Sequence, residues 1–442
     1  MNMNMNMKPV RVGLLGIGTV GGGTYQVLAR NHGEITRRAG RPIEIVMVAD
    51  KDLARAREVT GGRTQITDDA FAVVNDPDID VIVELIGGCT VARELVLKAL
   101  NNGKHVVTAN KALIATHGNA IFAAASKRGV MVGFEAAVAG GIPIIKVMRE
   151  ALTANRIQWL AGIINGTCNF ILTEMRNHGR DFKAALADAQ QRGYAEADPT
   201  FDIEGVDAAH KLTILAALAF GIPLQFDKVH VEGITQVARE DVAYAGALGY
   251  RVKLLGLARR RPEGIEMRVH PTLIPETRLI ANVDGVMNAV VVRGDAVGPL
   301  LFYGAGAGAQ PTASAVVADL VDVARSMSAR PEHRVPHLAF QPDAVADVPI
   351  LPVDKIESAY YLRITALDRP GVLADISRIL ADRDISIEAI RQPEPAEGQQ
   401  QVPVIILTQR VMEQSINEAI KHLESLQSVQ GPIVRLRVET LA

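Results

Sequence analysis

A glycine-rich turn near the start of the chain restricts the possible folds more than any other feature. Residues 16–21 read Gly-Ile-Gly-Thr-Val-Gly, between the apolar stretch 10–15 and a helix-forming stretch. In this pattern the first glycine permits a tight turn, the second lets the backbone approach a pyrophosphate, and the third allows close packing of helix on strand. Unsatisfied N–H groups at the start of the helix attract that anion. The motif therefore predicts a dinucleotide-binding turn formed by Gly16, Ile17, Gly18, Thr19, Val20 and Gly21.

The region that follows alternates short apolar stretches with helical patterns. The stretches 43–49, 81–86, 105–108 and 130–134 are rich in β-branched residues, which suit buried strands. Strands that alternate with helices form parallel βαβ units. Residues 1–140 are therefore predicted to form an α/β domain with a doubly wound parallel sheet of the Rossmann type.

The residues after the second predicted strand leave the choice of dinucleotide open. Asp50 follows that strand, where an acidic residue usually binds the adenosine ribose hydroxyls and favours NAD. Lys51, Arg55 and Arg57 come next and can hold a 2′-phosphate, or they lie in solvent. The sequence thus predicts NADP or NAD as the cofactor, with Asp50 in contact with it.

The remainder of the chain divides into three further regions. Helical and extended patterns mix over residues 141–330, which predicts an α+β catalytic and dimerisation domain with an open sheet. Residues 331–355 contain five prolines, which is typical of a linker. Residues 356–442 follow the order strand, helix, strand, strand, helix, strand, the ferredoxin-like arrangement. A module joined by a linker is expected to be removable without loss of activity.

Composition excludes several classes of protein. The 442 residues carry a formal net charge of −2, so neither nucleic acid nor an anionic membrane is an expected partner. The two cysteines, Cys89 and Cys168, are too few for a disulfide framework and favour a reducing compartment. The sequence has no run of about eighteen apolar residues, so no transmembrane helix is expected. These features together predict a cytoplasmic protein.

A charged segment contains the first candidates for chemistry. Five carboxylates precede Lys211 within residues 193–211. They are Glu196, Asp198, Asp202, Glu204 and Asp207. Asp207 and Lys211 are four residues apart, so a helix places them on one face. Such a group can hold a small zwitterion and transfer a proton; a solvated acidic surface is the alternative.

A second lysine follows another predicted strand. Residues 108–111 read Thr-Ala-Asn-Lys at the end of the stretch 105–108. Ligands bind at the carboxyl ends of the strands in open parallel sheets. Lys111 is therefore predicted to contact cofactor or substrate, and a surface lysine is the alternative.

Six segments match one known family in the same chain order. They are the glycine turn and residues 108–111, 135–143, 162–169, 193–211 and 303–315. Together they resemble homoserine dehydrogenase of the bacterial type with a C-terminal ACT domain. The resemblance implies NAD(P)-dependent interconversion of L-homoserine and L-aspartate 4-semialdehyde, a step toward threonine, isoleucine and methionine.

The resemblance also implies roles for individual residues. Lys211 matches the proton-transfer residue, and Lys111 matches the lysine at the boundary between cofactor and substrate. The substrate-binding positions that it implies are Gly193, Glu196, Asp202, Asp207 and Thr167. Gly308 matches a further cofactor contact. Cys168 stands where the family often has Thr, and Ala309-Gln310 replaces a more common Gly-Leu pair.

A monovalent cation, Na⁺ or K⁺, is a further implication of the resemblance. Its ligands correspond to Glu135 and to carbonyl groups near Val138, Gly140 and Ile142. A glycine-rich loop exposes carbonyl oxygens, and hard cations prefer oxygen ligands.

The C-terminal region carries a regulatory signature. Residues 368–373 read Asp-Arg-Pro-Gly-Val-Leu, which matches the ACT family, and the glycine gives a tight turn into a helix N-terminus that can receive an amino-acid carboxylate. The resemblance implies threonine as the effector. ACT modules pair edge to edge, so a homodimer or homotetramer is expected.

Two alternative functions remain open on the sequence. Another NAD(P)-dependent oxidoreductase of an amino alcohol or semialdehyde would keep the glycine turn but not the spacing within 193–211. A non-enzymatic amino-acid sensor would be expected to have lost Lys211, which is present.

Overall fold

The computed structural model describes residues 7–394 and 400–441. The Met/Asn-rich start of the chain and most of the polar loop expected over 393–401 lie outside the described residues. No helix in the described part is long and apolar enough to cross a membrane.

The strands are short in the N-terminal region and longer beyond residue 250. They are β1 (Val10–Leu15), β2 (Ile43–Ala49), β3 (Gln65–Thr67), β4 (Val81–Glu84), β5 (His105–Thr108), β6 (Val132–Gly133), β7 (Ile157–Ile163), β8 (His230–Val231), β9 (Tyr250–Arg261), β10 (Gly264–Pro275), β11 (Met287–Gly294), β12 (Gly298–Ala305), β13 (Glu357–Leu367), β14 (Ile387–Arg391), β15 (Gln401–Thr408), β16 (Val411–Met412) and β17 (Val434–Val438).

The helices alternate with the strands in the N-terminal region and are interspersed with them afterwards. They are α1 (Thr19–Arg30), α2 (His32–Ala39), α3 (Leu53–Thr60), α4 (Ala70–Asn75), α5 (Val91–Asn101), α6 (Lys111–Arg128), α7 (Ile144–Lys146), α8 (Gly166–His178), α9 (Phe182–Gln191), α10 (Thr200–Ile203), α11 (Val206–Phe220), α12 (Arg239–Ala247), α13 (Ala309–Ser326), α14 (Val372–Ala381) and α15 (Glu413–Glu424).

The N-terminal sheet has the order β3-β2-β1-β4-β5-β6, and its neighbouring strands run parallel. This confirms the predicted doubly wound α/β fold. The order reverses at β1, which lies between β2 and β4. A crevice for a ligand opens at such a reversal, beyond the carboxyl ends of the strands.

The chain forms two compact units. The first comprises the residues up to Ile164 together with Asp207–Asp227 and Met287–Val348; the second comprises Asn165–Val206, Lys228–Val286 and the residues from Pro349 on. These units follow spatial contacts and cut across the sequence order. The four domain ranges expected from the sequence remain predictions.

The first unit contains the parallel sheet and a smaller antiparallel group in the order β12-β11-β7. Helix α13 packs its apolar face into the same core as α1 and the parallel strands. The approach is close at Gly23, where a Cβ atom would lie 2.6 Å from the carbonyl oxygen of Ala309. Residues far apart in sequence thus complete the dinucleotide-binding fold.

The second unit contains the hairpin of β9 and β10, which pair in antiparallel register from Arg261 and Gly264 outward. Its C-terminal strands have the order β17-β13-β15-β14, with antiparallel neighbours, and α14 and α15 share their apolar core. This confirms the predicted ferredoxin-like arrangement. Strand β17 also pairs in parallel with β10, so the module shares a sheet with the hairpin.

The sequence of strand β9 lacks a regular alternation of apolar and polar residues, because charged residues interrupt it. Lys253 is 1% exposed and donates to the Val283 carbonyl at 2.6 Å and to the Asp284 carboxylate at 3.1 Å. Arg259 pairs with Glu439 at 3.0 Å. These partners come from distant parts of the chain, so their effect cannot be read locally.

Candidate active site

The turn between β1 and α1 has the geometry that its glycines predict. Gly16 has φ of +92°, and a Cβ atom there would lie 2.7 Å from the Leu85 carbonyl oxygen. A Cβ atom at Gly21 would lie 2.0 Å from the Gly16 oxygen. A Cβ atom at Gly18 would meet no protein atom within 4 Å, and no side chain caps the helix that follows. The outer glycines are therefore needed for the turn, and the middle one borders open space suited to a pyrophosphate.

Asp50 braces this turn. Its Oδ2 accepts a hydrogen bond from the backbone N–H of Ile17 at 2.6 Å, and its Oδ1 accepts one from the N–H of Asp52 at 2.8 Å. A carboxylate accepts more than one bond per oxygen. Contact with a ribose hydroxyl therefore remains compatible with these bonds and stays a prediction.

Sequence reasoning missed Glu84, which organises the neighbouring loop. Glu84 ends β4, is fully buried, and accepts hydrogen bonds from the N–H groups of Ile86 and Gly87 at 3.0 Å each and from the Thr108 hydroxyl at 2.6 Å. Burial raises the pKa of its carboxyl, and these bonds oppose the shift. The available signal was an acidic residue at the end of an otherwise apolar strand.

The same network fixes the start of α6. The Thr108 hydroxyl oxygen accepts the N–H of Asn110 at 3.0 Å, and the Asn110 side chain caps the helix by accepting the N–H of Leu113 at 3.1 Å. Asn110 also donates to the Gly88 carbonyl at 2.6 Å. Lys111, the first residue of α6, is thereby held at the carboxyl end of β5.

Asp207 lies between two lysines. It is 3% exposed in the first turn of α11, and its Oδ2 accepts a hydrogen bond from Lys211 Nζ at 2.7 Å. Lys111 Nζ lies 3.3 Å from its Oδ1. Lys211 also donates to the Ile164 carbonyl at 2.8 Å. The cluster holds two cations on one carboxylate, and an ammonium with three N–H donors can still address a substrate oxygen.

His210 is next to this cluster in sequence but is not suited to proton transfer. Its ring stacks on Phe226 with centroids 4.2 Å apart. Burial lowers its pKa to about 4, and Lys111 and Lys211 act in the same direction while Asp207 opposes them. The imidazole is therefore neutral near pH 7, which leaves Lys211 as the proton-transfer candidate.

In the second unit the start of α8 holds the predicted pocket segment. Asn165 donates from its side chain to Asp202 Oδ1 at 2.7 Å and caps the helix at Cys168 N. The Thr167 hydroxyl donates to the Tyr194 carbonyl at 2.7 Å and lies 3.4 Å from Asp202 Oδ2. The structure thus brings Thr167 and Asp202 together, and Asn165 is a partner that sequence reasoning missed.

Three other acids of the charged segment, Glu196, Asp198 and Glu204, are more exposed than Asp202. Gly193 supplies a turn with φ of +73° after α9, and Glu196 is exposed. The Asp198 carboxylate accepts the N–H of Thr200 at 3.1 Å, so Asp198 has a structural role in this turn. Glu204 is exposed. The predicted catalytic and substrate-binding residues therefore belong to both units. Lys111, Asp207 and Lys211 are in the first unit, and the pocket segment is in the second.

Glu135, one of the predicted cation ligands, is a buried carboxylate. Glu135 is 1% exposed and accepts the N–H groups of Ile145 and Lys146 at 2.9 and 2.8 Å. Burial, followed by the nearby Asp319, raises its pKa to about 8. Gly140 and the residue before it are left-handed, with φ of 44° and 55°. Val138 and Ile142 border this bend, and such oxygen donors fit a hard cation.

Two further residues singled out in the sequence are Gly308, in the first unit, and Cys168, in the pocket segment of the second. Gly308 has φ of +116° and immediately precedes α13. Cys168 is buried, and its Sγ lies 3.2 Å from the Asp202 carbonyl oxygen, so it is a packed structural residue. No group of three or more His, Cys, Asp or Glu residues within 7–394 and 400–441 is arranged to hold a metal ion.

A glycine turn at the reversal of a parallel sheet, with a lysine–aspartate cluster in the same unit, defines an NAD(P)-dependent oxidoreductase. Comparison with known proteins identifies the family. Family models for the homoserine dehydrogenase NAD-binding domain, for homoserine dehydrogenase and for the ACT domain match residues 16–135, 143–321 and 360–426. The chain belongs to the homoserine dehydrogenase family.

Individual relatives support this assignment over the whole chain. Homoserine dehydrogenase from Pseudomonas aeruginosa is 66% identical over 98% of this chain and 100% of the relative. A crystal structure of a homoserine dehydrogenase from Thiobacillus denitrificans has a TM-score of 0.95 at 65% identity and covers 99% of both chains. A hyperthermophilic archaeal homoserine dehydrogenase in complex with NADPH has a TM-score of 0.61 at 27% identity, over 72% of this chain and 98% of the other.

The chain is therefore an NAD(P)-dependent oxidoreductase that acts on the CH–OH group of homoserine. The reaction belongs to amino-acid biosynthesis, and the ACT domain indicates an amino-acid effector. The alternative of a different oxidoreductase or a sensor is not favoured.

Proposed function

We propose that Lys211 transfers the hydroxyl proton in the interconversion of homoserine and aspartate 4-semialdehyde, with Asp207 and Lys111 holding it in place. The observation that carries the proposal is the buried Asp207 carboxylate between the two ammonium groups, at 2.7 and 3.3 Å. NAD(P), bound at the glycine turn, accepts or supplies the hydride. Formation of NAD(P)H from homoserine is the assay.

The roles of the two lysines follow from charge and position. In oxidation the Lys211 amine takes the proton that leaves the substrate hydroxyl, and in reduction the ammonium returns it. Asp207 orients Lys211 through their hydrogen bond, and the Ile164 carbonyl fixes the same Nζ atom. Lys111 shares the carboxylate from the start of α6, the helix that follows β5.

The pocket segment of the second unit suits the amino-acid end of the substrate. Glu196 is exposed and can meet the substrate ammonium, and Asp202 with Thr167 offers further oxygen acceptors. The turn at Gly193 sets the course of this segment. We assign these four residues, with Asp207, to homoserine binding.

Glu196→Gln is expected to raise the KM for homoserine about tenfold, because a charge-assisted bond becomes a neutral one. The KM for NADP should stay unchanged. Steady-state kinetics in both substrates measure the effect. Asp198→Asn is the matched control, since that acid only caps Thr200, and it should behave as wild type. Equal losses for both substrates in Glu196→Gln would contradict the assignment.

A monovalent cation at Glu135 is part of the proposal. Backbone N–H groups hold both oxygens of this carboxylate, and residues 139 and 140 form a left-handed bend in the loop that carries the other proposed ligands. A cation there would offset the cost of burying the carboxylate charge. Glu135 and the carbonyls near Val138, Gly140 and Ile142 are the proposed ligands of Na⁺ or K⁺.

NADP and NAD both remain candidate cofactors. Asp50 at the end of β2 favours NAD by its position, whereas Lys51, Arg55 and Arg57 offer positive charge for a 2′-phosphate. The NADPH bound to the archaeal relative supports use of NADP. The contacts proposed are those of residues 16–21, Asp50, Lys111 and Gly308.

Threonine is the proposed effector, bound at the turn before α14. Gly371 has φ of +94°, and a cavity of about 530 Å³ is lined by residues 366–373 with Gln392, Val402 and Val404. The helix N-terminus there favours a carboxylate. Feedback by an end product would be exerted from this module.

Gly371→Ala is expected to weaken inhibition by threonine at least about tenfold, because alanine strains a left-handed turn that must present its N–H groups. Uninhibited turnover should be kept. Dose–response curves with threonine measure this. Gly431→Ala provides the control, since Gly431 is also left-handed with open space around its Cβ position. A wild-type enzyme that ignores threonine would refute the effector proposal.

Self-association and location complete the proposal. β12 is the end strand of its group, and Leu301 and Tyr303 on it are 37% and 58% exposed. Exposed apolar side chains on a strand edge suit pairing with a second copy. We propose a homodimer or homotetramer that works in the cytoplasm.

A further inference from the structure

A cavity of about 640 Å³ lies in the first unit, and none of the residues proposed for catalysis lines it. It is enclosed by the second half of α6, the start of β6 and the proline-rich segment 331–345. This volume is in the range of small-molecule sites in proteins. Apolar side chains form much of the wall, among them Phe122, Met131, Leu338, Phe340 and Val345. An apolar ligand body therefore fits the cavity.

Arg149 places a buried cation on this wall. It is 9% exposed and lies in the π-helical turn Val147–Ala151, a type of turn that is frequent at functional sites. Its Nη2 donates to the Val335 carbonyl at 3.3 Å, and its buried Nε has no hydrogen-bond partner among the described residues. A guanidinium has five N–H donors, and leaving them unused in a buried site is costly.

No buried carboxylate on the cavity wall pairs with Arg149; the buried Asp319 interacts with it electrostatically but does not line the cavity. Arg334, also on the wall, donates to the carbonyls of Gly129 and Ala329 at 2.8 Å each and to that of Ser326 at 3.2 Å. These carbonyl oxygens satisfy the N–H donors of Arg334 without neutralising the charge of its guanidinium. Among the lining residues only Glu332 is acidic, and its side chain is 61% exposed.

His337 reports the same positive environment. Its ring stacks on Phe122 with centroids 5.1 Å apart, and its Nε2 accepts the N–H of Val132 at 3.1 Å. Burial, then the charges of Arg149 and Arg334, lower its pKa to about 3. The neutral ring can offer Nδ1–H as a further donor to an anion.

We propose that this cavity binds a small amphipathic monoanion, with its carboxylate on Arg149 and its apolar body against Phe122 and Leu338. The carboxylate supplies the planar pair of acceptors that a guanidinium binds best. The ligand would bridge α6 and the segment 331–345, which continues along the chain into the ACT domain.

The test uses the full-length enzyme and two probes of equal shape, naphthalene-2-carboxylate and neutral naphthalene-2-methanol. Titration calorimetry is done with saturating NADPH and homoserine, which fill the catalytic site without turnover. We expect the carboxylate to bind at least about tenfold more tightly than the alcohol. No detectable binding of the carboxylate, or equal binding of both probes, would overturn the proposal.

Three variants locate the site. Arg149→Met should weaken carboxylate binding at least about tenfold and leave the alcohol unaffected. Arg330→Met is the control, because Arg330 is adjacent to the segment but does not line the cavity, and it should bind like wild type. Ala123→Trp, at an exposed lining position on α6, should block both probes if Arg149→Met proves unstable. Wild-type carboxylate binding in both Arg149→Met and Ala123→Trp would place the probe elsewhere and refute the site.

Discussion

Lys211→Ala is expected to lower kcat for homoserine oxidation about 100- to 10,000-fold, the usual contribution of a positioned acid or base. The variant loses the group that accepts the hydroxyl proton, and Asp207 keeps Lys111 as its partner at 3.3 Å. Binding of NAD(P) should be retained because the glycine turn is untouched. Stopped-flow or steady-state formation of NAD(P)H, together with a cofactor titration, measures both effects.

Two companion variants separate proton transfer from charge. Lys211→Arg keeps a cation beside Asp207 but cannot release a proton near neutral pH, so its kcat should also fall steeply. Lys98→Ala changes an exposed lysine on α5 and should have wild-type kinetics. Near-normal turnover of Lys211→Ala, or full activity of Lys211→Arg, would show that another group moves the proton.

Arg437→Met is expected to destabilise the enzyme by about 3 kcal/mol, the lower end of the range for removing one partner of a buried ion pair, because a second arginine remains beside the same carboxylates. Arg437 is 1% exposed on β17. Its Nε donates to Glu413 at 2.9 Å, and its Nη1 and Nη2 donate to Glu232 at 2.7 and 2.9 Å. Methionine fills much of the same volume but removes the buried arginine from two carboxylates, which keep Arg435 as a partner at 3.1 and 2.7 Å. Urea unfolding followed by circular dichroism measures the loss.

The pH dependence gives this prediction a second readout. Burial acts to raise the pKa of Glu232, but the bonds from His230 and Arg437 outweigh it and hold that pKa well below its ordinary value of 4.5. The stabilisation is therefore present above pH 4.5 and is lost as the pH falls below it. The gap between wild type and Arg437→Met should narrow in acid.

The control for this variant is Arg378→Met, an exposed change on α14 of the same module. It should unfold like wild type at every pH. A pH-independent gap for Arg437→Met would point to lost packing instead of lost charge pairing.

The network around Arg437 also revises the expectation that the C-terminal module can be removed without consequence. Arg268 on β10 is fully buried, is paired with Glu439, and donates to the Ser358 hydroxyl at 2.7 Å. Ending the chain at Ile350 would remove both partners and the strand that pairs with β10. We expect such a truncation to lose folded protein, so threonine regulation is better tested by Gly371→Ala in the full chain.

Much of the fold was readable from the sequence because its signals are local. The glycine spacing of 16–21 requires a strand–turn–helix unit, since only glycine tolerates the backbone and the close contacts found at Gly16 and Gly21. The alternation of apolar strands with helices predicts the parallel sheet, and the C-terminal order predicts the ferredoxin-like module. In each case the pattern that predicts an element lies within that element and its immediate neighbours in sequence.

The candidate site was readable only in part. The spacing of Asp207 and Lys211 predicts their contact, because one helical turn separates them. Asp207 also pairs with Lys111, which is 96 positions away in the sequence. Neither segment contains a pattern that predicts this contact. Glu84 and Asn165 were missed for the same reason, since each has one partner in another segment of the chain, Thr108 for Glu84 and Asp202 for Asn165.

The sequence by itself thus determined the dinucleotide fold, the homoserine dehydrogenase resemblance and the lysine–aspartate helix face. Only the tertiary structure decided which carboxylates are buried and which cations they hold, as Glu413 holds Arg437, and that the buried Nε of Arg149 has no hydrogen-bond partner among the described residues. The physical reason is that backbone preference and periodicity act over a few residues. The energy of a charge depends on burial and on neighbours that the folded chain brings from far away.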